Sequence, residues 1–218
     1  MVEHLGKADW QDPERVQGMV RSYNERYPEA FWNALLELIG VEPREVVAEF
    51  GPGPGLFLAD TVSKLQTKKV YGLDESESML KQADEILSCV LSSDNYILTQ
   101  HDFNTDAVAL EPSSVNMVFS GFFLHEVDNS QSIILQAAQS LKPSGVCVVF
   151  DFVSGNEEAF VRVMGAHGMD EEKARKRYPH MCKHSVDDIV QFMTEAGLKP
   201  TGSKKIRETA AIVVGLKN

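Results

Sequence analysis

Between residues 46 and 152 short apolar runs alternate with amphipathic stretches. The β-branched and aromatic runs at 46–50, 69–73, 96–100, 115–120 and 146–152 are too short for helices and predict strands. Helices are expected at 56–65, 76–90 and 131–141, whereas FNTDAVALEPSS, between the third and fourth strands, is too short to read as one. Strands alternating with helices imply right-handed crossovers and a parallel sheet covered on both faces.

Residues 1–40 read as a helical N-terminal cap. Asp12, Pro13 and Glu14 form a helix start, followed by Val16, Met19, Val20 and Tyr23 at helical spacing. Pro28 opens a second helix whose face carries Phe31, Leu35, Leu38 and Ile39, and Gly40 stops it. After Val153 the rhythm breaks into a helical insert at 154–184, and Ser185 with Asp188 suggests a capping box opening a helix to Ala196. The last runs, 204–207 and 210–215, lie too close for a crossover and must pair antiparallel. The expectation is one domain over 1–218: an α/β fold with a seven-stranded, mostly parallel sheet, an antiparallel C-terminal hairpin and helices on both faces.

Composition adds exclusions. An apolar fraction of 43% and a charged fraction of 24% are those of a soluble globular chain, and no apolar run approaches a membrane span. The N-terminal stretch is polar and mixed in charge, unlike a secretory or transit signal. Cys89, Cys147 and Cys182 form no CxxC pair, so a cytoplasmic location is expected. A net charge of −11 disfavours nucleic acid as a partner.

The chemistry begins at VVAEFGPGPGLF. A dinucleotide fingerprint needs a small residue where this chain has Leu56. Pro52 and Pro54 also lack the N–H groups that a phosphate cradle uses. Glu49 would repel phosphate and welcome an ammonium or sulfonium. Asp74, about 20 residues past the glycines, stands where an acid accepts hydrogen bonds from ribose hydroxyls, or where it caps the next helix.

EFGPGPG followed by GLDESESML resembles the nucleotide-binding half of class I S-adenosylmethionine-dependent methyltransferases, a Rossmann-like superfamily. QHDF, SGFFLHEV and LKPSG follow in the family's order, so that the resemblance spans 46–152. It implies S-adenosyl-L-methionine as cofactor and S-adenosyl-L-homocysteine as product. Glu49, Gly51 and Gly53 would line the methionine end, Asp74 would hold the ribose, and Ser76 and Met79 would lie beside ribose and adenine. Asp102 and Phe103 would meet the adenine, and the backbone of Ser120 and Gly121 would pass the sulfonium. Asn116 stands where the family commonly has Asp, at the end remote from the cofactor.

For the transfer itself, His125 past the fourth strand and Asp151 ending the fifth are candidates for a base and a substrate contact, with structural roles as the alternative. Tyr23, Tyr27, Trp32 and Tyr178 are candidate acceptor walls, from the cap and the insert. The insert's His167, His180 and His184 lack metal-ligand spacing, so no metal is expected. The basic run KARKRYPHMCKH is either a solvated helix face or an anion-capture patch. A small-molecule acceptor is expected, for a monomer or homodimer. A protein or RNA substrate, a non-catalytic cofactor-binding subunit and a nicotinamide dehydrogenase are the alternatives.

Overall fold

The computed structural model describes residues 9–108 and 110–218, so that positions 1–8 of the expected cap lie outside the described residues. The cap comprises α1 (Pro13–Arg21), α2 (Tyr23–Arg26) and α3 (Glu29–Ile39). Asp12 caps α1 by accepting from the Glu14 N–H. The single expected helix through Tyr23 is broken at Ser22, whose N–H turns back to the carbonyls of Gly18 and Val20.

The core alternates β1 (Val46–Phe50), α4 (Leu56–Lys64), β2 (Lys69–Asp74), α5 (Glu77–Leu87), β3 (Tyr96–Gln100), β4 (Val115–Gly121), α6 (Ser130–Ser140) and β5 (Leu141–Phe152). The insert forms α7 (Glu157–Ala166) and α8 (Glu171–Met181), and the chain closes with α9 (Val186–Glu195), β6 (Leu198–Arg207) and β7 (Ala210–Lys217). The expected capping box of α9, Ser185 with Asp188, is present. β5 starts earlier than its β-branched run, because Leu141 pairs with Val115 ahead of a register shift.

The seven strands run in the order β3-β2-β1-β4-β5-β7-β6. The first five are parallel, and β7 lies antiparallel to both β5 and β6. Side chains divide with the period of two that a pleated strand imposes. Met117, Phe119, Val148, Phe150, Ile212 and Val214 enter one core with residues of α3, α4 and α5. Val118, Cys147, Val149, Ala211 and Val213 enter the other, with residues of α6 and α9. Asn116, the departure from the family pattern, accepts from the Val46 N–H at 3.0 Å and so fastens the start of β1 to β4.

β1 sits between β2 and β4, and the chain leaves it in one direction before returning on its other side. At such a switch point the loops diverge and leave a crevice beyond the carboxyl ends of the strands. Register places Phe50 opposite Leu73 and Ser120, so the β1, β2 and β4 ends open onto one place. Among the described residues no helix is long and apolar enough to cross a membrane.

Trp32 corrects one expectation. It is 5% exposed and stacks on Phe57 at 5.2 Å with rings 7° apart, and Phe57 stacks on Phe119 at 3.7 Å. It belongs to the core. Trp32→Ala should therefore cost about 3–5 kcal/mol of stability, read from a denaturant melt. Near-normal stability would contradict this placement.

Candidate active site

The loop after β1 is shaped by backbone rather than side chains. Gly51 (φ 72°) and Gly55 (φ 78°) occupy left-handed conformations. A Cβ on Gly51 would lie 2.5 Å from Phe123, and one on Gly55 2.8 Å from the Ala83 Cβ. Gly55, at the N-cap of α4, therefore lets the loop pack directly on α5.

Every glycine N–H in this loop already has an acceptor. Gly51 donates to the Leu73 carbonyl at 2.9 Å, Gly55 to the Pro52 carbonyl at 3.0 Å and Gly53 to Asp74 Oδ2 at 2.9 Å. The two prolines have none to give. A phosphate would find no N–H in residues 51–55 to bind.

Asp74 also accepts from the Ser76 N–H through Oδ1, at 2.9 Å. Burial raises its pKa to about 6, and the hydrogen bonds from Ser76 and Gly53 oppose the rise. Glu49 is 2% exposed, and its Oε2 is buried without a hydrogen-bond partner. Burial foremost, then the neighbouring Asp74 charge, pushes its pKa well above the carboxylate range. An acid in this state gains most from a ligand that brings a cation or a donor.

Both acids line one cavity, with Gly51, Gly53, Met79, Phe103 and Gly121 among its other walls. Tyr23, Arg26 and Tyr27 of the cap close one side, and Phe122, Phe123, Glu126 and Val127 after β4 close another. Tyr27 is 6% exposed within a ring of aromatic side chains that includes Phe31, Phe57 and Phe122. A Cβ on Gly121 would lie 2.2 Å from the Tyr27 hydroxyl, so glycine is required there.

Other expected residues stand back from the cavity. Ser76 is the N-cap of α5, accepting from the Met79 N–H and donating to the Trp10 carbonyl at 2.7 Å. Asp102 is used in a turn, accepting from the Asn104 N–H at 2.9 Å. The Ser120 hydroxyl is buried without a partner, and Ser120 is not among the residues that line the cavity. Tyr178 packs on Phe160 at 5.5 Å inside the insert, and its hydroxyl accepts from the Gly155 N–H. It belongs to the insert's own small core rather than to the cavity.

The largest correction concerns His125 and Asp151, which are 5% and 2% exposed and do not line this cavity. Asp151 Oδ1 meets His125 Nδ1 at 2.7 Å, and Oδ2 accepts the His125 N–H at 3.1 Å. Burial disfavours the imidazolium, but the Asp151 charge and hydrogen bond outweigh it and lift the His125 pKa to about 10. With Nδ1 held by Asp151 and Nε2 facing Glu126, the ring is engaged on both sides, which favours its structural role. The cavity-facing group is the next residue, Glu126. Its Oε1 lies 3.5 Å from His125 Nε2 and its Oε2 lies 3.6 Å from His180 Nε2 of α8. The hydrogen bond from His125 is the main reason its pKa is lowered.

Two cations of the basic run on α8 are paired within the insert. Arg175 reaches Glu158 at 2.8 Å and Glu171 at 2.9 Å, and Lys176 reaches Glu172 at 2.7 Å. Among the described residues no three His, Cys, Asp or Glu side chains group as metal ligands.

The glycine loop and the two buried acids thus meet in one cavity at the switch point of an α/β sheet. The chain belongs to the methyltransferase domain family, matching it over residues 42–207. An uncharacterized methyltransferase of Geobacillus sp. (strain WCH70) is 27% identical over 214 residues, covering 93% of each chain. A SAM-dependent methyltransferase from Aquifex aeolicus has the same fold with a TM-score of 0.68 at 17% identity, over 95% of this chain and 99% of that one. A chain of the complex between the Haloferax volcanii Trm112 methyltransferase activator and a methyltransferase gives 0.69 at 17% identity, over 95% of each. The architecture is that of the class I S-adenosylmethionine-dependent methyltransferases.

Asp151→Asn should lower stability by about 3–5 kcal/mol, because it takes from the buried His125 ring the closer of its two carboxylate partners. A histidine whose folded pKa is raised stabilises fully below about 6.5, and that contribution is lost as pH climbs through about 10. The His125 ring should accordingly titrate far above neutrality by NMR. Titration near 6.5 would contradict the pairing.

Proposed function

We propose that the protein transfers a methyl group from S-adenosyl-L-methionine to a small-molecule acceptor, releasing S-adenosyl-L-homocysteine. One observation carries the cofactor reading: a glycine loop with all its N–H groups spent faces two buried acids, one of them with an oxygen lacking any partner. Such a site disfavours phosphate and favours a nucleoside that brings an ammonium and hydroxyl donors. Glu49 would take the ammonium and Asp74 the ribose hydroxyls, while Met79 and Phe103 would flank the adenine. The cofactor supplies a methyl group already activated on a sulfonium, so the protein's share is positioning and exclusion of water.

Tyr27 and Tyr23, with Phe122 and Phe123, would wall the acceptor side. A small acceptor is supported by the closure of the cavity between the cap and the loop after β4. The net charge of −11, with Glu49, Asp74, Glu75 and Glu126 in the cavity wall, disfavours a polyanion. With His125 bound to Asp151, Glu126 is the carboxylate placed to accept a hydrogen bond from an acceptor N–H or O–H.

Calorimetric titration tests the reading: S-adenosyl-L-homocysteine should bind and NAD should not. Tight NAD binding would overturn the account of the loop. Asp74→Ala should weaken S-adenosyl-L-homocysteine by about 1.5–3 kcal/mol, the worth of a charge-assisted hydrogen bond. In the wild type the affinity should fall as pH drops through about 6, where Asp74 takes up a proton. An affinity flat across that range would remove Asp74 from the contact.

A further inference from the structure

Among the described residues that line the cavity there is no His, Lys, Cys, Ser or Thr, and Arg26 is the only basic side chain. Arg26 stands on the cap, where its Nη2 donates to the Met19 carbonyl at 2.7 Å and its guanidinium carbon lies 5.7 Å from the Tyr27 ring centroid. The groups left to take a proton are tyrosines and carboxylates. The Tyr23 hydroxyl is given to Asp60 Oδ2 at 2.9 Å, and burial holds the Tyr27 phenol above its ordinary pKa. Glu49 and Asp74 belong to the cofactor in the reading above, and Glu75 adjoins Asp74.

Glu126 is the carboxylate on the acceptor side, beside Phe122, Phe123 and Val127 in the cavity wall. Its backbone N–H closes a turn onto the Phe123 carbonyl at 2.9 Å. Its two oxygens stand 3.5 Å from His125 Nε2 and 3.6 Å from Nε2 of the exposed His180. Asp151 grips His125 through both Nδ1 and the backbone N–H, so β5 and α8 together fix where the Glu126 carboxylate lies. Flanked by Asp151 and Glu126, the His125 ring can offset only one of the two carboxylates. Glu126 is thus held ionised, chiefly by the hydrogen bond from His125.

Such a carboxylate is a good partner for a cation and a poor base for a hydroxyl. An anionic acceptor would be repelled by it. An amine needs no base in the cavity once its ammonium form has given a proton to water. The nitrogen lone pair then forms the new N–C bond as the C–S bond breaks with its electron pair left on sulfur, and the positive charge passes to nitrogen. A fixed carboxylate stabilises charge that appears there, and the aromatic walls suit the same cation.

We infer that the acceptor is an amine, bound with its nitrogen against Glu126 and methylated on that nitrogen. This names the acceptor class of the site proposed above and rests on that reading.

The first test needs no turnover. In protein saturated with S-adenosyl-L-homocysteine, calorimetry compares benzylamine, benzyl alcohol and benzoate, probes of similar shape and different charge. Benzylamine should bind about 10-fold or more tightly than either, as for a charge-assisted hydrogen bond. Glu126→Gln should remove that preference and leave S-adenosyl-L-homocysteine within about 3-fold. The wild-type comparison stands even where the variant fails to fold. A benzylamine affinity no greater than that of benzyl alcohol overturns the inference, and so does a preference for benzoate, which would point to Arg26 instead.

The second test reads the methylated atom. Cofactor with a ¹³C methyl group is incubated with the protein and an extract of source cells grown on ¹⁵N as sole nitrogen source. The ¹³C methyl signal of the soluble product should be split by one-bond coupling to ¹⁵N. An unsplit signal overturns the inference and leaves the small-molecule reading standing. Protein that does not bind S-adenosyl-L-homocysteine, or label found in the precipitate alone, overturns that reading and the inference with it.

Discussion

The hydrogen bond from the Gly53 N–H to the Asp74 carboxylate, 2.9 Å long and buried, is the constraint on which the site depends. It joins the loop after β1 to the end of β2. It also consumes the donor that a phosphate-binding loop would have offered. The other Asp74 oxygen holds the Ser76 N–H, one residue before the first turn of α5. A single carboxylate thus sets the shape of the loop, the entry into α5 and the charge of the cavity floor. Its burial is tolerable because two N–H groups face it, and the raised pKa measures the desolvation that they do not offset.

The opposite wall depends on aromatic packing. Tyr27, Phe31 and Trp32 of the cap interleave with Phe57 of α4 and with Phe119 and Phe150 of the sheet. The cap is therefore part of the main core, and the cavity beneath it inherits that rigidity. The insert is different in kind, because α7 and α8 share a small core around Phe160, Ala174 and Cys182. It reaches the rest of the molecule through Phe152 of β5, which packs on Phe160, and through polar contacts such as His180 with Glu126, His184 with Ser130 and Lys183 with the Val127 carbonyl.

The strand and helix rhythm was legible because burial on both faces of the sheet writes continuous apolar runs into the chain. The glycine loop was legible because Gly and Pro constrain backbone wherever they occur. Glu49 and Asp74 followed from their offsets to that loop, and both line the cavity. What the sequence could not disclose is direction. His125 and Glu126 are neighbours in a turn, where no periodicity says which one faces inward, and the structure chose the second. Trp32 and Tyr27 share the cap's aromatic stripe, and only three-dimensional packing separates the core ring from the cavity wall. Arg26 reads as one more charge on a short amphipathic helix, and its isolation among carboxylates exists only once the cap is folded. On α8 the pairs of Arg175 with Glu171 and Lys176 with Glu172 follow from i,i+4 spacing, whereas the meeting of Arg175 with Glu157 and Glu158 depends on the packing of α7 on α8.

The most direct measurement follows the methyl group. Cofactor labelled on its methyl carbon is incubated with the protein and an extract of its source cells, and label is counted in the acid-soluble and acid-precipitated fractions after unreacted cofactor is removed. The account predicts protein-dependent label in a new acid-soluble species, whose mass then identifies the acceptor. Label confined to the precipitate would contradict it, by assigning a protein or nucleic acid as the substrate of this cavity.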